Sequence, residues 1–290
     1  MFGIFDIYLL EALLNGVLLG GVFALLALGL NLVFGVIDVV WICYAELIML
    51  GMYGMYFLFV TFHLPYLLAA VICIGGVGVL GVVLHLVVIR PLLGAAPINQ
   101  LLATGGVLFF LQSFATVAFG IDFKNLGIRL PVLELADMYI SYARLLAFGV
   151  ALGGMVALYV FLARSYTGAA IRAIAQDRQI MPLMGVDTRR IYIVTSAIGG
   201  GLAGLAACLL VLQYDVQPFI GLTFGPTTFL ICVLGGLGNM IGGFVAAFLF
   251  AEIISVAGLY LDLEWGYVFA FGLFVVLMFF RPRGLLARRS

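Results

Sequence analysis

Apolar residues in this chain run on for about twenty positions at a time, and short polar islands separate the runs. A stretch of about 20 apolar residues, rising 1.5 Å each, crosses the hydrocarbon core of a bilayer as a helix. The pattern predicts spans at roughly 7–29, 41–62, 66–89, 98–119, 142–163, 190–213, 222–237, 240–259 and 265–281. The expected fold is therefore an all-α polytopic membrane protein of about nine transmembrane or broken helices. The whole of 1–290 reads as one membrane domain. A β-barrel is excluded, because barrel strands are short and alternate apolar with polar positions.

The longest polar island is Arg164–Arg190, which holds five of the twelve arginines (164, 172, 178, 189, 190). Short cytoplasmic loops carry an excess of Lys and Arg, so this island marks the cytoplasmic side. It is mostly good helix former from Ala169 to Met181, and Pro182 makes further helix unfavourable. Alternation from an outside N-terminus puts Arg90, the island and the Arg281–Arg289 tail on the cytoplasmic side together. The loop 120–141, with Asp122, Lys124, Arg129, Glu134 and Asp137, then falls outside, as do Asp215 and the Asp262/Glu264 turn. The topology closes with the C-terminus inside.

Composition narrows the chemistry. Hydrophobic residues make up 66% of the chain and charged residues 9%; with a mean hydropathy of +1.31, an ordinary soluble globule is ruled out. A formal net charge of zero argues against nucleic acid as a partner. The single lysine, Lys124, leaves no Gly-x-x-x-x-Gly-Lys nucleotide loop. The start lacks the basic region of a cleaved signal peptide, and Asp6 and Glu11 precede or open the first span. Four cysteines (43, 73, 208, 232) lie inside apolar runs without metal spacing and read as small buried hydrophobes. No catalytic constellation or metal-ligand cluster is present in the sequence, so an enzyme is not expected.

The 37 glycines separate into two kinds. Gly16/Gly20 and Gly200/Gly204 have the four-residue spacing that lets membrane helices approach closely. Gly29 to Gly35, leading into Val-Ile-Asp-Val-Val-Trp, and Gly235-Gly236-Leu-Gly238-Asn239 read instead as unwound or broken membrane helices. Such breaks are tolerated only against protein or a water-filled path. One break in each half of a chain points to a transporter's central pathway.

With these segments placed, the chain resembles the permease subunits of bacterial ABC importers of the branched-chain amino acid type. The resemblance covers nearly the whole length. It rests on Leu14-Asn15-Gly16 through Gly20, Ala24, Gly29, Asn31 and Gly35, on Glu46 through Gly51 and Tyr53, and on Gly168-Ala-Ala-Ile-Arg-Ala-Ile-Ala-Gln-Asp-Arg178 with Leu183-Met-Gly185. It continues through Pro218, Val233 to Asn239 and Arg281-Pro-Arg-Gly284. The resemblance implies a cytoplasmic coupling helix that docks into an ATPase, carried by Gly168, Arg172, Ala173, Ala175, Gln176, Asp177 and Gly185. It also implies a bacterial inner-membrane location, a second permease subunit, two ATP-binding subunits and an extracytoplasmic solute-binding protein. ATP and Mg are then used by the partner ATPase subunits, and this chain binds no cofactor itself. Transport would proceed by alternating access around a weak central site. Three departures stand out: Trp41-Ile-Cys-Tyr-Ala45 where the family commonly has Asn-Phe-Ala-His-Gly, Pro182 within the coupling element, and Ile241 for a frequent proline.

Candidate substrate-pathway residues are Asp38, Trp41, Tyr44 and Glu46. Carboxylates within a membrane are costly and mark function by default; solvation at a turn is the competing reading for Asp38, and bracing through backbone or Tyr44 the one for Glu46. Aromatic-belt anchoring competes for Trp41 and Tyr44. Replacing small or polar residues by Trp41 and Tyr44 suggests an altered substrate preference. Glu252 reads as a structural group facing the bundle, His63 and His85 as structural residues near span ends. Gln213, Tyr214, Asp215, Gln217 and Pro218 lie at the outer mouth, where a binding protein or an ordinary loop fits equally. Two rival functions share the hydropathy pattern: a proton-coupled secondary transporter using Glu46 or Glu252, and a passive channel for a small neutral solute such as urea.

Overall fold

The computed structural model describes residues 2–128, 131–135, 138–261, 263–281 and 284–285. Arg129, Asp137, Asp262 and most of the basic tail lie outside the described residues, as do the side chains of Glu134 and Glu264. Ten α-helices occur among the described residues: α1 (Phe2–Ile37), α2 (Tyr44–Tyr56), α3 (Tyr66–Leu84), α4 (Pro97–Phe119), α5 (Tyr142–Arg164), α6 (Tyr166–Gln176), α7 (Thr188–Leu210), α8 (Ile220–Gly235), α9 (Met240–Tyr260) and α10 (Leu263–Phe280). A wider turn, Phe57–Thr61, prolongs α2, and another, His85–Ile89, prolongs α3. A short hairpin of β1 (Val132–Leu135) and β2 (Met138–Ser141) precedes α5.

Seven helical segments among these residues are long and apolar enough to cross a membrane. The apolar helices Ile220–Gly235 and Trp265–Phe280 are shorter. These nine segments correspond to the nine runs in the sequence, and the extra helix, α6, comes from the polar island. Contacts between connecting segments sort the helix ends into two sets. Arg178 pairs with Asp38 at 2.9 Å, the Leu285 N–H donates to the Leu234 carbonyl, and Gly238 abuts Gly35. At the opposite end Lys124 and Val216 exchange backbone hydrogen bonds, Asn125 donates to Asp215 at 2.6 Å, and Arg144 donates to Asn15 at 2.8 Å. The polar island and the segments around Lys124 and Val216 thus occupy opposite ends, in keeping with the charge pattern.

The helix α1 is the hub, packing on α9, α7, α5 and α8. It approaches α9 closely through Gly16 and Gly20, where an added Cβ would stand 2.5 Å from Glu252 Oε2 and 2.8 Å from the Phe248 ring. Gly200 and Gly204 do the same for α7 on α3. A Cβ on Gly200 would lie 2.7 Å from the Val77 carbonyl oxygen, and one on Gly204 3.0 Å from Ile74 Cα. Lipid tails are as apolar as leucine, so such close backbone packing holds membrane helices together in place of a hydrophobic drive.

The two glycine groups read as paired breaks differ from expectation. Gly29 and Gly35 lie in the unbroken helix α1, and Gly236–Asn239 forms the turn between α8 and α9. The groups nevertheless meet, since a Cβ on Gly35 would stand 3.1 Å from Gly238 Cα. The buried side chain of Asn31 accepts a hydrogen bond from Gly238 N at 3.2 Å. The non-helical stretch is 38–43, the Asp-Val-Val-Trp end of the same motif.

Candidate functional site

Residues 38–43 leave helical geometry at Asp38, whose φ of 58° lies in the left-handed region that Asp adopts more readily than most residues. Val39, Trp41 and Cys43 are nevertheless buried, so the freed backbone groups need partners within the protein. Thr104 of α4 offers one, its hydroxyl shared between the Val40 carbonyl at 2.9 Å and the Gln100 carbonyl of its own helix at 2.8 Å. The Trp41 indole N–H donates to Cys43 Sγ at 2.9 Å, and the Trp41 ring meets Tyr44 edge-on at 5.7 Å. The Tyr44 hydroxyl reaches across α1 to the Gly199 carbonyl of α7 at 3.2 Å. It passes Gly29, where an added Cβ would collide with the hydroxyl oxygen. Gly29 is a notch for Tyr44 and not a point of unwinding.

This stretch walls a groove of about 670 Å³ between α2, α4 and α8. Trp41, Tyr44 and Ala45 form one side, Gly105, Gly106 and Phe109 the second, and Gly221, Leu222, Gly225 and Pro226 the third. The lining is apolar almost throughout. Pro226 cannot donate to the Leu222 carbonyl, so the α8 wall carries a carbonyl without the N–H that another residue would supply there. Trp41 and Tyr44 are only 1% and 2% exposed and direct their polar atoms inward, so they are packing groups of the wall and not belt residues facing lipid headgroups.

The four candidate pathway residues separate. Trp41 and Tyr44 line the groove. Asp38 lies outside it, in a cleft of about 470 Å³ with Gly94, Pro97, Gln100, Arg178 and Tyr192. Glu46 is fully buried behind the groove wall, its carboxyl against Gly221 at the first turn of α8. Neither Glu46 oxygen has a hydrogen-bond partner among the described residues; the Tyr44 hydroxyl, one of the two partners in the competing bracing reading, goes to Gly199 instead. Glu252, expected to bond structurally, packs against Gly16 and leaves Oε2 without a partner among the described residues. His85 is buried edge-on to Tyr192. At the end opposite the polar island Tyr214 packs on Phe224 at 5.2 Å. The four cysteines are free and buried.

The polar island folds as expected in kind but not in extent. The helix α6 begins at Tyr166, capped by the Ser165 hydroxyl, which accepts from Gly168 N at 2.8 Å. It ends at Gln176, because Asp177 turns out of the helix and its carboxylate accepts from Gln179 N and Ile180 N. Termination therefore comes five residues before the expected Met181, and Pro182 sits in a separate 3₁₀ turn, Met181–Met184. Gly185 closes that turn at φ 80°, a conformation that favours glycine.

One face of α6 packs on the membrane domain through Gly168, Ala170, Ile171 and Ile174. Gly168 has no room for a side chain, since a Cβ would lie 2.5 Å from the Phe161 carbonyl oxygen. Arg172 donates to the Leu162 carbonyl and ties α6 to the end of α5. Ala175, Gln176 and Asp177 are exposed, whereas Ala173 is half-buried. Beyond them Ile180, Leu183 and Met184 stand 50%, 84% and 72% exposed, an apolar patch at the tip of a polar loop. Reasoning from sequence passed over that patch and Pro226, although apolar residues inside an arginine-rich loop, and a proline inside an apolar run, were both readable signals.

The family of branched-chain amino acid transport system permease components matches residues 12–278. The chain belongs to this family. The high-affinity branched-chain amino acid transport system permease protein BraD of Pseudomonas aeruginosa is 30% identical, over 96% of this chain and 96% of its own. The corresponding protein LivH of Escherichia coli is 28% identical over 97% of this chain and 96% of its own. LivM of Escherichia coli shares 30% identity over a shorter stretch, 43% of this chain and 29% of its own. No solved structure matches. This permease-family membership removes the reason to favour a channel or a proton-coupled carrier.

Proposed function

We propose that this chain is the path-forming subunit of an ATP-driven importer for branched-chain aliphatic amino acids, placed in the bacterial inner membrane. It pairs with a second permease subunit and takes solute from an extracytoplasmic binding protein, and the pair is driven by two ATPase subunits that hold the ATP and Mg. The observation that carries this reading is the loop from α6 to Gly185. Its inner face is packed on the membrane domain and its tip offers Ile180, Leu183 and Met184 to a partner. Exposed apolar side chains flanked by arginines suit a docking contact. That loop is cytoplasmic, with the N-terminus outside and the C-terminus inside, as the arginine distribution favours.

Branched-chain substrates suit the apolar groove lining, and the relatives' names carry the same solute class. Trp41 and Tyr44 offer the groove hydrocarbon and no polar handle, which supports an ordinary aliphatic preference over the altered one suggested by the departure at 41–45.

Two measurements test the assignment. A single cysteine at Gln179 should resist a membrane-impermeant thiol reagent applied outside intact cells, in a background where the buried native cysteines do not react. Affinity purification of the chain, co-expressed with its partners, should retain the ATPase subunits. Labelling from outside, or loss of the ATPases under conditions that keep the membrane subunits together, would overturn the docking assignment.

A further inference from the structure

Among the described residues, the docking loop meets the start of the non-helical stretch that leads into the groove wall through a polar contact, Arg178 Nη1 to Asp38 Oδ2 at 2.9 Å. Both ends of this contact are held in place. Arg178 follows the cap made by Asp177, whose carboxylate accepts from Gln179 N at 2.9 Å and Ile180 N at 3.1 Å, so the backbone carrying Arg178 has a defined turn. Asp38 is the first residue past α1, in the left-handed conformation, and its N–H still donates to the Phe34 carbonyl at 2.9 Å. The chain then runs without helical hydrogen bonding through Val40, pinned by Thr104, to Trp41 and Tyr44 in the groove wall. A helix transmits displacement as a rigid body, but a six-residue link anchored at a few points changes shape when one anchor moves.

We infer that Arg178 and Asp38 form a positioning pair that passes movement of the ATPase-docking loop to the 38–43 hinge and so to the wall of the solute groove. The inference rests on the function proposed above. The pair adds little to stability, with side chains 41% and 55% exposed, a setting in which ion pairs contribute little to folding. Its value lies in connecting two elements far apart in sequence at the point where one of them is not helical. Packing of α6 on α5 and α7 transmits movement as well, so loss of the pair weakens coupling without abolishing it.

The test is a double-mutant cycle in the full complex, reconstituted with its ATPase subunits and binding protein, with radiolabelled leucine as the probe. Asp38→Asn removes the charge and keeps a residue that tolerates positive φ; Arg178→Gln removes the other charge. The readout is leucine taken up per ATP hydrolysed, which a merely structural contact does not change. Each single variant is expected to lower that ratio about two- to fivefold, and the double variant to fall no further than the worse single. Unchanged ratios in both singles, or a double variant that multiplies the two losses, would overturn the pair as a coupling element. A wild-type complex that holds no ATPase would instead sink the proposed function, and the co-purification measurement detects that separately.

Discussion

The contact between Gly29 and Tyr44 supports a prediction with a worked magnitude. A Cβ at Gly29 would fall 3.3 Å from Tyr44 Cζ and 3.2 Å from Leu202 Cβ, and inside contact distance of the hydroxyl oxygen. In Gly29→Ala the hydroxyl must retreat by roughly 1 Å to reach normal contact, which breaks its 3.2 Å bond to the Gly199 carbonyl. Overpacking a tight site costs about 1–3 kcal/mol, and a hydrogen bond between membrane helices adds about 0.6 kcal/mol. Alanine's better helix propensity returns about 0.5–1 kcal/mol, leaving a net destabilisation of about 1–3 kcal/mol. Tyr44→Phe alone should cost about 0.6 kcal/mol. In the double variant the colliding oxygen is gone, so its stability should lie close to that of Tyr44→Phe, an interaction energy of about 1–3 kcal/mol. Thermal unfolding of the detergent-solubilised protein, followed by size-exclusion fluorescence, measures all four corners of the cycle. If the two single effects simply add, the hydroxyl does not occupy the Gly29 notch, and the account of this three-helix junction is wrong.

Three further outcomes are expected. Ala175→Trp, on the exposed face of α6, should abolish solute-stimulated ATP hydrolysis while the membrane domain melts normally; undiminished stimulation would remove α6 from the docking surface. Gly200→Ala should destabilise the protein by about 1–3 kcal/mol, because its methyl meets backbone atoms of α3. The control Gly76→Ala, which meets nothing within 4 Å, should be neutral or slightly stabilising, and equal melting of the two variants would contradict the glycine-mediated α3–α7 contact. Restoring the family pattern across Trp41–Ala45 should leave the ranking of leucine over aromatic solutes intact and lower the melting temperature; a switch in ranking would make these residues specificity determinants.

Hydropathy and arginine placement were enough to read the span count and the opposition of the two loop sets from the sequence, because both follow from the cost of placing polar groups in hydrocarbon. The packing roles of Gly16, Gly20, Gly200 and Gly204 were equally legible from their spacing. The roles of Gly29 and Gly35 were not, since each accommodates a group distant in sequence, the Tyr44 hydroxyl and Gly238 Cα. A missing Cβ looks the same whether it permits unwinding or close approach. The end of α6 was misplaced for a related reason. Asp177 leaves the helix by capping its own following turn, a local bond that competes with the helix before Pro182 is reached. Of the candidate pathway residues, only Trp41 and Tyr44 reach the groove. The placement of Asp38 and Glu46 depends on where the chain leaves helical geometry, which hydropathy alone does not locate.

Reconstituted transport tests the central claim most directly. The purified chain, its second permease and the ATPase subunits are placed in vesicles, the binding protein is supplied on the outer face, and uptake of radiolabelled leucine is followed with and without ATP on the ATPase side. Leucine should accumulate against its gradient only when ATP and the ATPase subunits are both present, and an imposed proton gradient should not replace them. Accumulation driven by the proton gradient, or equilibration of leucine through this chain alone, would contradict the account.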